Sequence, residues 1–466
     1  MKWSPVALLL LATPASAASI HQFSGLALSP RGDLTATIES DDAGNLAEEP
    51  HGTVVVRDAQ GEVVADYDPC AGCRYSGPAF SPKDGSLVFL AADDKSGKTT
   101  LYRALGSRAR PLAAISGVAN TARYSADGSR IAFLATIGAR KKTGATQAAA
   151  PETGEIGEKP DEQRIAVLPA TGGALKLVSP SDTYIYEFSW APNGKGFAAT
   201  AATGNGDDNW WIATLDYVGI DGRVRVIAAP KMQINMPRVS PNGRTVAFIG
   251  GLMSDWGAIG GDVYTVPLAG GSPSDVTRGY KGSFEGIVWR AGNILGTAQI
   301  EDRSAAVAID PVAGKVRTLW SDPVSVSSIA FNDPIAFSDD GSVAATVSQD
   351  FTHAPEILRG RLPGLSPVTS ANASLPASVI ARSVHWKNQG YDVEGWLLSP
   401  LKPGPGKHPM ITIVHGGPSA ASRPRYIVLG GQHGTGFDFV GLFIRRGYFV
   451  FYPNPRGSYG EGEAFT

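Results

Sequence analysis

With 466 residues, 41 basic against 43 acidic side chains and a net charge of -2, the chain offers no general attraction for nucleic acid or anionic lipid. Its length exceeds one ordinary core. With 43% apolar residues, 56 Gly and 33 Pro, it reads as turn-rich and β-dominated, with ample material for a large core, and neither disordered nor membrane-spanning.

The first residues read as an export signal: Lys2, an apolar run over residues 5–12 and the A-x-A site Ala15-Ser-Ala17. Residues 1–17 are expected to be removed, no Cys follows to take a lipid, and the product is expected in the periplasm or outside the cell. Cys70 and Cys73, the only cysteines, form Cys-Ala-Gly-Cys in a stretch with turn chemistry. In an oxidising compartment this favours a short-loop disulfide. A thioredoxin-like strand-to-helix context and a second ligand pair, which redox and zinc sites require, are both missing from the sequence; a pair of free thiols is the other alternative.

A turn signature recurs along most of the chain: Ser29-Pro-Arg-Gly32, Ser81-Pro-Lys-Asp-Gly85, Ser125-Ala-Asp-Gly128, Ala191-Pro-Asn-Gly194, Ser240-Pro-Asn-Gly243 and Ser338-Asp-Asp-Gly341, with a degenerate copy at Arg290-Ala-Gly292. Gly in these turns supplies positive φ, an apolar strand follows each, and an aromatic residue such as Phe80, Tyr124, Trp190 or Phe337 stands just before several of them, placed to pack between repeats. Seven copies, mostly near one spacing, predict a seven-bladed β-propeller over residues 18–363, because one blade cannot cover both its faces and the array must close. A β-helix or open sandwich is the alternative. The one stretched interval holds a polar, aperiodic segment over residues 138–164, expected to be a surface loop or else a lid over the channel.

Residues 364–381, rich in Ser, Pro and Ala, read as a linker. Beyond them, residues 384–398 predict a hairpin about Asn388-Gln-Gly390, and residues 410–414 a buried strand ending at His415-Gly-Gly-Pro418. A helix is predicted over 437–446, with a Thr435/Asp438 capping box and Gly447 as its stop, followed by a strand over 448–452. Hairpin, strand, glycine loop, helix, strand is the order of the first part of an α/β-hydrolase, here residues 382–466.

Together with the repeats, the segments Ser348-Gln-Asp-Phe-Thr-His-Ala-Pro-Glu-Ile357, Gly395-Trp-Leu-Leu-Ser-Pro400, His415-Gly-Gly-Pro418 and Pro455-Arg-Gly-Ser-Tyr-Gly460 resemble the prolyl oligopeptidase family of serine peptidases, in which a propeller caps an α/β-hydrolase domain. The HGGP form looks most like the acylaminoacyl-peptidase branch. The resemblance implies that the Gly417 N–H donates to an oxyanion while His415 and Gly416 shape its loop. Glycine there lets backbone approach a tetrahedral intermediate, where one donor is worth about 3 kcal/mol. A plain strand-end turn at Gly416-Gly417 and a structural His415 are the competing readings.

No G-x-S-x-G elbow occurs, Ser458 after Arg456-Gly457 does not make one, and all seven histidines precede the place of the family's base. No triad is therefore expected in this chain, and no metal or organic cofactor is implied. Arg456 and Glu461 are candidates for an interface or substrate contact. Glu187, alone where the dipeptidyl branch carries a glutamate pair, makes amine recognition doubtful. The expected function is the N-terminal portion of an exported serine peptidase acting on oligopeptides, its propeller gating access; the chain alone is expected to be inactive and, with open hydrolase strands, prone to association. The alternative is a non-catalytic periplasmic propeller that binds ligands and carries a vestigial hydrolase stub.

Overall fold

The computed structural model describes residues 19–42, 50–139, 162–204, 206–255, 257–326, 334–417, 419–428 and 438–466. The signal sequence, most of the 138–164 segment, Pro418 and Thr435 lie outside the described residues. The fold is mainly β, with 53% strand and 3% helix. No helix among the described residues is long and apolar enough to cross a membrane.

Up to residue 367 the strands form successive antiparallel sheets. The first holds Ile20–Leu28, Thr35–Asp42, Thr53–Arg57 and Val63–Tyr67. A seven-stranded sheet runs from Arg74–Phe80 to Lys176–Leu177, and four-stranded sheets begin at Thr183–Trp190, Gln233–Val239 and Ser283–Arg290. A further sheet spans Ser325–Val326 to Ser366–Pro367, so part of the 364–381 stretch pairs as strand. The seven-stranded sheet is continuous because Arg108–Tyr124 serves two neighbours: its first half pairs with Lys98–Leu105 and its second with Arg130–Ile137. The change of partner falls at Gly117, whose φ is +139° and where a Cβ would strike the Thr136 carbonyl, so only glycine fits.

Five of the repeated turns, ending at Gly32, Gly128, Gly194, Gly243 and Gly341, are built alike, and four of them begin with a serine. The glycine takes positive φ and its N–H donates to the first residue's carbonyl, as in Gly32 to Ser29 (2.8 Å), Gly243 to Ser240 (2.8 Å) and Gly341 to Ser338 (2.9 Å). The leading serine accepts an N–H five residues on, from Leu34 (2.9 Å), Arg130 (3.0 Å), Thr245 (3.0 Å) or Val343 (3.0 Å), which launches the next strand. Aromatic residues before the turns reach back to the preceding sheet: Trp190 Nε1 donates to the Arg123 carbonyl (3.2 Å) and Trp289 Nε1 to the Arg238 carbonyl (3.0 Å).

The last of these sheets packs on the first. Phe23 and Leu26 lie in one cluster with Ala345, Val347 and Ile357, the Asp339 N–H donates to the Pro30 carbonyl (2.8 Å), and Arg359 donates to the carbonyls of Gly32 and Ala59. A disulfide joins Cys70 and Cys73, and the Cys70 N–H donates to the Tyr75 hydroxyl (2.7 Å).

The C-terminal sheet has a different build. The hairpin Val379–Asn388 and Tyr391–Pro400 turns at Gln389 and Gly390, both at positive φ. Phe449–Asn454 pairs antiparallel with Tyr391–Pro400 and parallel with Met410–Thr412. The helix Asp438–Arg445 buries Val440 and Ile444 against Leu398, Val450, Trp396 and Phe351. The run at 410–414 has the composition of a buried strand and shows the open face expected of it: Met410 and Val414 are 54% and 59% exposed, because among the described residues only Phe449–Asn454 pairs with this strand.

Since the apolar cluster around Phe23 supplies most of the buried contact between the first and last sheets, Phe23→Ala should lower the stability of the whole array by about 3–5 kcal/mol, read as a fall in urea midpoint.

Candidate functional site

Two loops from the ends of adjacent parallel strands meet over one end of the ring. Residues 413–417 follow Met410–Thr412, and residues 455–460 follow Phe449–Asn454. The second is anchored first. The Tyr459 hydroxyl lies 2.7 Å from the Ala258 carbonyl and 3.2 Å from that of Leu252, its ring rests where a Cβ on Gly260 would collide, and its N–H donates to the Ala420 carbonyl (2.8 Å). Next, the Gly460 N–H donates to Ser283 Oγ (3.1 Å) and its carbonyl accepts the Glu301 N–H (2.9 Å). Arg456 donates to Gln389 and lies 4.9 Å over the Tyr391 ring, so it braces the hairpin.

The glycine loop leans on this anchor. His415 Nε2 and Ser458 Oγ are 2.8 Å apart, which gives the outline of a base and a nucleophile. Each partner is also held by a carbonyl. Ser458 Oγ is 2.6 Å from the Pro455 carbonyl and His415 Nδ1 is 3.2 Å from the Gly416 carbonyl, so neither side chain is free to turn toward a substrate. Ser458 is 1% exposed, which keeps its hydroxyl from an incoming carbonyl. The pair is a brace between loops. Gly416 and Gly417 are exposed. Gly417 has φ +143°, and a Cβ on it would lie 2.8 Å from Ser254 Oγ, which itself donates to the Ser419 carbonyl (3.1 Å).

Buried charge surrounds the contact. Arg423 pairs with Glu285, a buried residue on Ser283–Arg290, and burial together with Arg425 pushes the Arg423 guanidinium down to about 10. Glu394, 2% exposed, accepts from Asn454, whose side chain also receives the Ser422 N–H (2.7 Å). Burial pushes Glu394 up to about 7, and burial with Glu301 and Asp392 does the same to Glu461. Glu187 lies elsewhere: it is buried and held by Arg123 (2.6 Å) and Arg238 (2.8 Å), so its charge is already compensated.

The structure thus brings His415, Gly416, Gly417, Arg456, Ser458 and Glu461 into one region and leaves Cys70, Cys73 and Glu187 outside it. Glu285, Arg423 and Glu394 were not singled out by sequence. Glu394 carried a signal, an acid in the apolar stretch Val393-Glu-Gly-Trp-Leu-Leu398, while the Glu285–Arg423 pair had none, since its partners are distant in sequence.

No model of a protein family and no curated protein sequence matches the chain. Solved structures do. An acylaminoacyl peptidase of Pyrococcus horikoshii is similar over 96% of this chain and 67% of that one, at 15% identity and a TM-score of 0.69. A puromycin-hydrolyzing peptidase of Mycobacterium tuberculosis matches over 96% and 67%, at 18% identity and TM-score 0.65, and a prolyl endopeptidase over 97% and 63%, at 12% identity and TM-score 0.62. At these identities the likeness is one of fold.

The raised Glu394 fixes a sign. Its folded value of about 7 stands above the ordinary 4.5, so the folded chain holds that proton more tightly than the unfolded chain. Stability is therefore fullest below pH 4.5 as far as this group is concerned and falls as pH rises from about 5 to 7. The effect is on the order of 3 kcal/mol, at 1.36 kcal/mol per unit. Glu394→Gln should flatten that part of the stability profile and raise the unfolding midpoint at pH 8.

Proposed function

We propose that this chain is the N-terminal portion of an exported serine peptidase of the prolyl oligopeptidase family, closest in type to its acylaminoacyl-peptidase branch. Residues 18–363 form a seven-bladed propeller when the seven-stranded sheet is counted as two blades joined through Arg108–Tyr124. Residues 382–466 open an α/β-hydrolase domain whose nucleophile, acid and base are supplied by sequence beyond this chain. The substrate is a short peptide admitted past the propeller.

The single observation that carries this reading is the placement of Gly417. It ends a loop that follows a parallel strand, it is exposed, and its backbone is held at a φ that favours glycine while His415 and Ser458 brace the loop from behind. An exposed backbone N–H on a fixed loop is what an oxyanion site requires. The low-identity likeness to three peptidases supports the same class. His415 and Gly416 act on geometry, holding the donor still.

A fluorophosphonate serine-hydrolase probe, applied to the 466-residue chain and to protein purified from the source, tests the proposal. Labelling only of a longer native product is expected. Labelling of the short chain overturns the claim that its nucleophile lies elsewhere, and labelling of neither supports a non-catalytic binding propeller. In the longer product, Gly417→Val should lower kcat about a hundredfold with a smaller change in KM, because it disturbs a donor used in the transition state.

A further inference from the structure

We propose that Asp262, Asp275 and Glu463 form a binding site for a hard divalent cation, Ca2+ by its tolerant coordination geometry, which ties the segment after residue 460 to the ring. The three come from separate pieces of chain. Asp262 opens the strand Asp262–Pro267, Asp275 closes Ser274–Asp275, and Glu463 follows Gly462. One carboxylate oxygen from each lies within 4.8 Å of the other two.

The state of Asp262 is the second, independent observation. The residue is 2% exposed. Thr277 Oγ1 donates to its Oδ1 (3.2 Å), while its Oδ2 is buried with no hydrogen-bond partner among the described residues. An ionised carboxylate oxygen left so costs several kcal/mol unless a proton or a cation answers it. The neighbours deepen the need, since Asp275 and Glu463 bring two more carboxylates beside it. Asp275 accepts the Thr277 N–H on Oδ1 (2.9 Å), and its Oδ2 is 3.8 Å from Arg278, whose side chain is 86% exposed and thus compensates weakly.

The donor set selects the ion. Three carboxylates with no nitrogen or sulfur suit a hard cation and not zinc. Ca2+ takes six to eight oxygens in flexible geometry and fills its shell with water, whereas Mg2+ demands near-ideal octahedral geometry, so three carboxylates gathered from separate pieces of chain suit the more tolerant ion. Glu463 is exposed, which gives the ion an entry path and leaves its outer side to water. Gly462 is pressed on the Tyr280 carbonyl, where a Cβ would lie only 2.5 Å away, so the chain is already held close enough for Glu463 to serve.

The test is thermal unfolding of the 466-residue chain in EDTA, in CaCl2 and in MgCl2 at matched ionic strength, together with Tb3+ luminescence sensitised by Tyr264, which pairs with Asp275 across the ladder. Millimolar Ca2+ should raise the midpoint by several degrees, with half-saturation at about 10⁻⁴ to 10⁻³ M, and Mg2+ should do less. Glu463→Gln alters an exposed side chain; it should weaken Ca2+ about tenfold or more while leaving the EDTA midpoint unchanged. Asp262→Asn should abolish the Tb3+ signal and raise the EDTA midpoint, since it removes the uncompensated charge. Absence of both a Ca2+ shift and Tb3+ emission overturns the proposal, leaving a shared proton to hold the cluster. So does a Ca2+ shift that Glu463→Gln leaves intact, which places the ion elsewhere.

Discussion

The rest of the molecule depends on one constraint: no sheet before residue 367 can cover both of its own faces. Fully buried rings such as Phe89, Phe188, Phe248 and Phe284 therefore need a neighbouring sheet, and the first and last sheets need each other. That last contact is made by Phe23, Leu26, Ala345, Val347 and Ile357 with a few backbone and guanidinium bonds, and among the described residues no strand is shared across it. A ring so closed holds its turn loops in fixed positions at one end. Those loops, over residues 252–260, 283–285 and 299–301, are where the C-terminal chain settles.

The C-terminal chain settles there chiefly through backbone. Tyr459 places its hydroxyl on two ring carbonyls, and Gly260, Gly460 and Gly462 each admit a contact that a Cβ would push apart. Close backbone packing excludes water, and the charges caught within it become expensive. Glu285 is answered by Arg423 across the contact, whereas Glu394, Glu461 and Asp262 are pushed toward their neutral forms. Docking and protonation are consequently linked. An anchor made of backbone bonds does not vary with pH, but the acids around it do.

The repeat was legible because each turn is local. The glycine's φ, the serine's bond five residues on and the apolar strand after it need no distant partner, so six of the turns could be read from four or five residues each. The helix and its two flanking strands were legible for the same reason. The apolar run at Met410 has the composition of a buried strand, and its expected openness follows from its having one pairing partner among the described residues. Long-range charge was invisible. Glu285 meets Arg423, and Asp262 meets Glu463, through tertiary folding that no spacing encodes.

The site loop shows why residue identity alone misleads. A histidine 2.8 Å from a serine in a peptidase-like fold invites a catalytic reading, and on distance it passes. Burial decides otherwise, since Ser458 is 1% exposed and its hydroxyl also meets the Pro455 carbonyl. The same enclosure makes it useful as a brace, because its contacts with His415 and the Pro455 carbonyl tie the two loops together and hold the imidazole in one orientation. Through His415 that rigidity passes to Gly416 and Gly417, whose own lack of side chain would otherwise leave the loop with many conformations to lose. An exposed glycine loop is thus steadied through a serine that itself lies out of reach of solvent.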